Sequence, residues 1–197
     1  MIIQTDKPLR PRAEFDHYPT DESTVLSCLD ELSGYMPDPK YILDAGAGSG
    51  VWGRVAREIW PCSGIIGVEV RPSTVIPGYD GWINADFLDE NAIRPFGKPG
   101  SLVMGNPPYC QAEEFVRRGL GLSQPGGRVA FLLRLGFLEG QARGNGLFRE
   151  HPPAYVWICS RRPSFTGDGK TDATAYAFFV WEKGWHGSPT IDWLRTS

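Results

Sequence analysis

Within 197 residues, Asn106-Pro107-Pro108-Tyr109 concentrates the most chemistry in the fewest positions. Consecutive prolines fix two φ angles and withhold two N–H donors, so the Asn106 side-chain oxygen and the Pro107 carbonyl can both point, as acceptors, at one place. Paired acceptors suit an amino group. The lone pair of an aryl or amide NH2 is delocalised, and holding both hydrogens favours the pyramidal geometry that frees it for attack. Pro108 completes the rigid corner, and Tyr109 offers a ring on which a planar acceptor can stack.

A second constellation lies upstream, in LDAGAGSGVWGRVARE at 43–58. Gly46, Gly48 and Gly50 let the backbone curl and approach a ligand without a Cβ in the way, and the helix that follows offers unpaired N–H groups. The pattern suits a small nucleoside-bearing ligand. Gly48-Ser-Gly50-Val-Trp-Gly53 also admits a nicotinamide or flavin nucleotide, but the Asp44 carboxylate favours a cationic group over a pyrophosphate. Glu69, at a strand end 21 residues after Gly48, is placed to accept from ribose hydroxyls. Asp86 and Phe87 close a third strand, where they could bond an adenine amine and pack beside its ring.

These residues need a scaffold that delivers them to one edge. Apolar runs at 41–45, 63–70, 81–86, 101–106, 127–135, 154–160 and 174–182 read as seven strands, alternating with helices at 51–60 and 111–122 and a weaker one near 138–149. Thr20 is expected to cap a first helix carrying Val25, Leu26, Leu29 and Leu32. Buried Val/Ile/Leu runs in this alternation predict a mostly parallel sheet with helices on both faces, and the last two strands, with only the loop 161–173 between them, are expected to form an antiparallel pair. The organisation expected is an extended arm at 1–19, one α/β domain at 20–183 and a tail at 184–197.

Composition narrows the class. With 41% apolar and 22% charged residues and seven Trp, the chain reads as globular. No run reaches about 18 apolar residues and the N-terminus lacks an apolar stretch of signal-peptide type, so a cytoplasmic chain without membrane contact is expected. Cys28, Cys62, Cys110 and Cys159 are far apart with no ligand spacing, which predicts reduced thiols and no metal site. Net charge is −3, yet residues 1–100 carry 9 basic against 15 acidic side chains and residues 101–197 carry 11 against 8, so an anionic partner would meet the second half.

With these residues in this order, the sequence resembles the class I S-adenosyl-L-methionine-dependent methyltransferases, specifically those modifying exocyclic or amide nitrogen through an NPPY motif. The resemblance covers about residues 15–183 and implies a single-domain, Rossmann-like methyltransferase fold. It implies Asp44, Gly46 and Gly48 on the methionine side of the cofactor, Glu69 on the ribose, Asp86 and Phe87 on the adenine, and Asn106 to Tyr109 as the catalytic loop, with Asn106 also against the cofactor. The stretch from Phe15 through Tyr18 to Thr20 is similar to the cofactor-carboxylate motif of γ-type nucleic-acid adenine methyltransferases, although Asp21 replaces its second proline. Phe165 stands where such enzymes pack an aromatic side chain on the flipped adenine.

The long target-recognition domain of restriction-type enzymes has no counterpart, which implies low or loop-encoded specificity of a phage-like kind. Arg143, in the 137–153 loop, and Arg161 and Arg162, in the 161–171 loop, are the candidates for phosphate. The activity implied is methylation of adenine N6 in DNA. The alternatives are adenine in RNA, a protein glutamine amide, and a cofactor-binding subunit without turnover.

Overall fold

The computed structural model describes residues 20–72, 76–93, 101–165 and 172–195. The expected arm at 1–19, with Tyr18, lies outside them. In chain order the elements are α1 (Glu22–Ser33), β1 (Tyr41–Ala45), α2 (Val51–Ile59), β2 (Gly64–Glu69), β3 (Gly81–Asn84), β4 (Ser101–Gly105), α3 (Ala112–Leu122), β5 (Arg128–Arg134), α4 (Gln141–Asn145), α5 (Leu147–Glu150), β6 (Tyr155–Cys159), β7 (Tyr176–Glu182) and β8 (Thr190–Leu194).

One sheet joins the strands in the order β3-β2-β1-β4-β5-β7-β6-β8. The pairs β1–β2, β1–β4, β2–β3 and β4–β5 are parallel, while β7 runs antiparallel to both β5 and β6. The expected fold class holds, with one correction: the sheet has eight strands rather than seven. Thr190–Leu194, read as tail, adds β8 parallel to β6, with Leu194 buried against the core. Its neighbours Ile191 and Trp193 are exposed, so no periodic burial signal marked this strand.

Successive strand residues feed opposite faces of the sheet, as the pleat requires. Ile42, Leu102, Ala130 and Phe178 join α1 and α2 in one cluster; Leu43, Val103, Val129 and Phe179 join α3 in the other. The weak helix expected near 138–149 is broken into α4 and α5 at Gly146. The cap of α1 is also corrected. Asp21 is the N-cap, accepting from the Thr24 backbone N–H at 2.9 Å, and its other oxygen accepts from the Thr24 hydroxyl at 2.8 Å and the Ser164 N–H at 3.0 Å. Carboxylates cap as well as hydroxyls do, and Thr20 is thereby released for another role.

Candidate active site

The glycine loop emerges from β1 and is tied to β2, with the N–H groups of Gly46 and Ala47 both donating to the Val68 carbonyl at 2.9 Å. Gly46, Gly48 and Gly50 have φ of 73°, 57° and 78°, the left-handed region where a Cβ is strained. The curl frees the start of α2 to face a cavity of about 400 Å3, within the usual range of ligand pockets. Its walls include Gly46, Gly48, Glu69, Asp86, Phe87 and Asn106, so the expected cofactor residues from three strand ends and both loops converge on one space.

Glu69 is 6% exposed and both its oxygens are engaged. Oε2 accepts from the Gly48 N–H at 2.7 Å, and Oε1 accepts from the backbone and guanidinium of Arg71 at 3.0 and 2.8 Å. Burial works to raise its pKa, but the Arg71 bonds and then the Gly48 bond outweigh it, so the carboxyl sits below its ordinary range. Asp86 closes a turn by accepting from the Leu88 N–H, and Phe87 packs on Phe115 at 4.8 Å, forming an apolar wall.

Asp44 takes a different place from the one its position suggested. It is fully buried beneath the loop and does not line the cavity. Its Oδ2 accepts from the Tyr79 hydroxyl, which itself accepts from the Gly53 N–H at 3.0 Å, while Oδ1 has no hydrogen-bond partner among the described residues. Burial pushes the carboxyl up to about 7, with the Tyr79 bond opposing. Asp44 therefore bears on any ligand through the loop and α2.

The diproline corner follows directly from β4. Gly105 has φ 145°, and a Cβ there would lie 2.7 Å from the Ala45 carbonyl, so only glycine passes this close to β1. Asn106 then turns into the cavity wall, donating its side-chain N–H to the Thr20 hydroxyl at 3.1 Å. That bond commits the amide nitrogen to Thr20 and sets the direction of Oδ1. Pro107 is buried, Pro108 lines the cavity, and the Gln111 N–H donates to the Pro108 carbonyl at 2.9 Å to close a short turn at Tyr109.

The Tyr109 ring leaves the cavity for the β5–β7 edge. Its neighbours there are the Arg134 guanidinium, 4.6 Å from the ring centroid, and the Tyr176 ring, 5.7 Å away. Burial first, then the Tyr176 hydroxyl, raise the Tyr109 phenol above its ordinary range. Phe165 lies one ring further back. It is 7% exposed and packs on Tyr176 at 5.1 Å. Arg143 is turned inward on its own loop, donating to the Phe137 carbonyl at 2.9 Å and to the Glu139 carbonyl. Arg161 and Arg162 are exposed. Residues 166–171 of their loop fall outside the described residues.

Sequence reasoning missed Tyr79, Tyr176 and Asp172, and it met Arg134 only as one of the basic residues of the second half. Tyr79 sits in a proline-rich turn without periodicity, and nothing in its neighbourhood points at Asp44. Arg134 had a legible signal: it ends an apolar strand on the edge where the other site residues gather.

No family model matches the chain. Among curated proteins it is similar to ribosomal RNA large subunit methyltransferase E of Rhizorhabdus wittichii, 25% identical over 107 residues, and of Zymomonas mobilis, 28% identical over 107 residues. Each match covers 52% of this chain, and 46% and 48% of those proteins, so the chain spans about half the length of the curated relatives it matches.

Among solved structures it is similar to a type I restriction-modification system methyltransferase subunit from Streptococcus thermophilus, with a TM-score of 0.67, 18% identity, and coverage of 89% of this chain and 47% of that one. The 23S rRNA methyltransferase ErmE gives 0.60, 17%, 88% and 71%, and TrmN from Thermus thermophilus 0.56, 18%, 82% and 48%. Taken with the strand order and the glycine loop, these likenesses show that the chain has the Rossmann-like fold of class I methyltransferases.

Proposed function

We propose that the protein is an S-adenosyl-L-methionine-dependent N-methyltransferase whose acceptor is the N6 amine of adenine in DNA. The observation that carries this reading is Asn106, held by Thr20 on the wall of the glycine-lined cavity and followed by a rigid diproline turn.

The cavity fits the cofactor on chemical grounds. Val68, Phe87 and Phe115 supply apolar walls for a purine, while Glu69 and Asp86 supply acceptors for hydroxyl and amine hydrogens. When bound, the cofactor supplies a methyl group on a cationic sulfur. The chain itself positions and polarises. Asn106 and the Pro107 carbonyl accept from the acceptor NH2 and favour its pyramidal form, Tyr109 holds the plane of the ring, and Arg161 and Arg162 meet phosphate. An adenine in a duplex would have to be extruded to reach this corner. No strong base is needed before attack, because the proton can leave to water after the nitrogen becomes positively charged.

Adenine in RNA is the second reading; the relatives named as ribosomal RNA methyltransferases favour RNA as the polymer, and the NPPY corner carries the adenine part as before. Incubation with tritiated cofactor and DNA, RNA or protein, followed by digestion to nucleosides, separates the acceptors. N6-methyladenine in DNA is expected, and label in protein alone overturns the nucleic-acid reading. Asn106→Ala is expected to keep calorimetric cofactor binding and lose transfer by about 100-fold or more, the scale of removing one positioned polar group. Turnover close to that of the unaltered chain removes Asn106 from the mechanism.

A further inference from the structure

Arg134 is the last residue of β5, beside the loop that leaves β4. Its surroundings differ from those of the acid-paired arginines and resemble those of Arg143, which lies over the Phe137 ring at 4.9 Å. Arg71 is paired with Glu69, Arg117 with Glu113 and Glu150, and Arg128 with Glu182. Among the described residues, no carboxylate lies within 4.0 Å of the Arg134 guanidinium. It lies instead over the Tyr109 ring at 4.6 Å and is the cross-strand partner of Tyr176, whose hydroxyl donates to Asp172 Oδ2 at 2.9 Å. Asp172 is anchored in turn, with Oδ1 accepting from the Thr174 N–H at 2.9 Å.

A cation over the face of a partly exposed tyrosine ring gains little, so the contact is easily exchanged for a better one. The spacing also matters. A planar guest between ring and guanidinium needs two van der Waals separations, about 7–8 Å, so Arg134 must withdraw by about 3 Å for any acceptor to lie on Tyr109. Its side chain is long and exposed, and the withdrawal frees a guanidinium whose fork matches phosphate oxygens.

We propose that Arg134 is a movable recognition residue of the acceptor site. At rest it covers the Tyr109 ring; when a nucleic-acid strand binds, it yields that face to a base and takes an adjoining backbone phosphate. The inference rests on the methyltransferase reading for the identity of the acceptor loop, and it narrows the acceptor to a phosphodiester-linked base.

The test measures binding, so it is independent of turnover. A fluorescein-labelled single-stranded oligodeoxynucleotide is titrated across a salt series against the unaltered chain with S-adenosylhomocysteine saturating, and against Arg134→Gln, Arg134→Lys and Lys40→Gln. Lys40 lies at the opposite end of the sheet, just before β1, and serves as the control. The slope of log Kd on log salt should fall by about one for Arg134→Gln and stay unchanged for Arg134→Lys and Lys40→Gln. An unchanged slope in Arg134→Gln, an equal loss in Lys40→Gln, or no strand binding by the unaltered chain overturns the proposal.

The covering role has its own readout of opposite sign. Arg134→Gln should bind 9-methyladenine, which carries no phosphate, several-fold more tightly than the unaltered chain, and the absence of a gain overturns that role. Arg134-dependent strand binding without methyl transfer to any nucleic acid would keep Arg134 as a strand-binding residue and sink the nucleic-acid methyltransferase reading.

Discussion

Asp44 shows how a residue can matter to a ligand it does not touch. Its carboxyl is buried, pushed up to about 7 by desolvation, and linked through the Tyr79 hydroxyl to the Gly53 N–H in the first turns of α2. Because the folded-state value is raised, the folded protein retains a proton between about pH 4 and 7 that the unfolded chain has released. Stability from this group is therefore fully present below its ordinary value of 3.8 and is lost as pH rises through about 7. Raising a carboxyl that far corresponds to about 4 kcal/mol between the two ends of the window. Asp44→Asn should remove that slope, so that in denaturant titrations without ligand the variant gains on the unaltered chain steadily from pH 4 to 7 and levels off above pH 8. A gain that shrinks with pH would overturn the assignment. The sequence made an acid under the glycine loop legible, since it precedes Gly46 at a strand end. It did not reveal burial, because the partner, Tyr79, lies 35 residues away in a segment with no pattern.

At the scale of elements, periodicity worked wherever burial is periodic. The strand runs up to β7 and the helices α2 and α3 were readable because one or both of their faces pack, and α1 was readable from Val25, Leu29 and Leu32. Capping was less legible, since Thr20 and Asp21 are adjacent and both are good caps; the choice fell to Asp21 because the Ser164 N–H also needs an acceptor there. The contact between α2 and the segment before β3 was invisible, yet it makes a sharp prediction. A Cβ on Gly53 would lie 2.1 Å from the Tyr79 ring, whose hydroxyl is tied to Asp44. Gly53→Ala gains up to about 1 kcal/mol in helix propensity but forces the ring out of place, an overpacking cost of about 1–3 kcal/mol. A net loss of stability is expected. In a double-mutant cycle with Tyr79→Leu the loss should shrink, since the clash and the tether go together. Full additivity would show that the two side chains do not meet.

For the whole molecule, the sheet order separates two kinds of dependence. The cavity lies over the carboxyl ends of β1, β2 and β4, whereas β8 is the far edge, separated from β4 by β5, β7 and β6. Deleting residues 185–197 would remove β8, the burial of Leu194 under α1 and the bond from the Ser160 hydroxyl to the Leu194 carbonyl. Ile191 and Trp193 would cost little because they are 55% and 60% exposed. Burial of one leucine, the Ser160 bond and the backbone ladder to β6 together predict a loss of at least about 2–4 kcal/mol. The cavity's residues are untouched, so the Kd for S-adenosylhomocysteine should not change. At a ligand concentration one hundred times that Kd, both forms should gain about 2.7 kcal/mol. The two effects should therefore add, as they do for sites that share no partners. A ligand-induced gain that disappears with β8 would mean that the edge strand and the cavity form one cooperative unit, and that the tail belongs to the site.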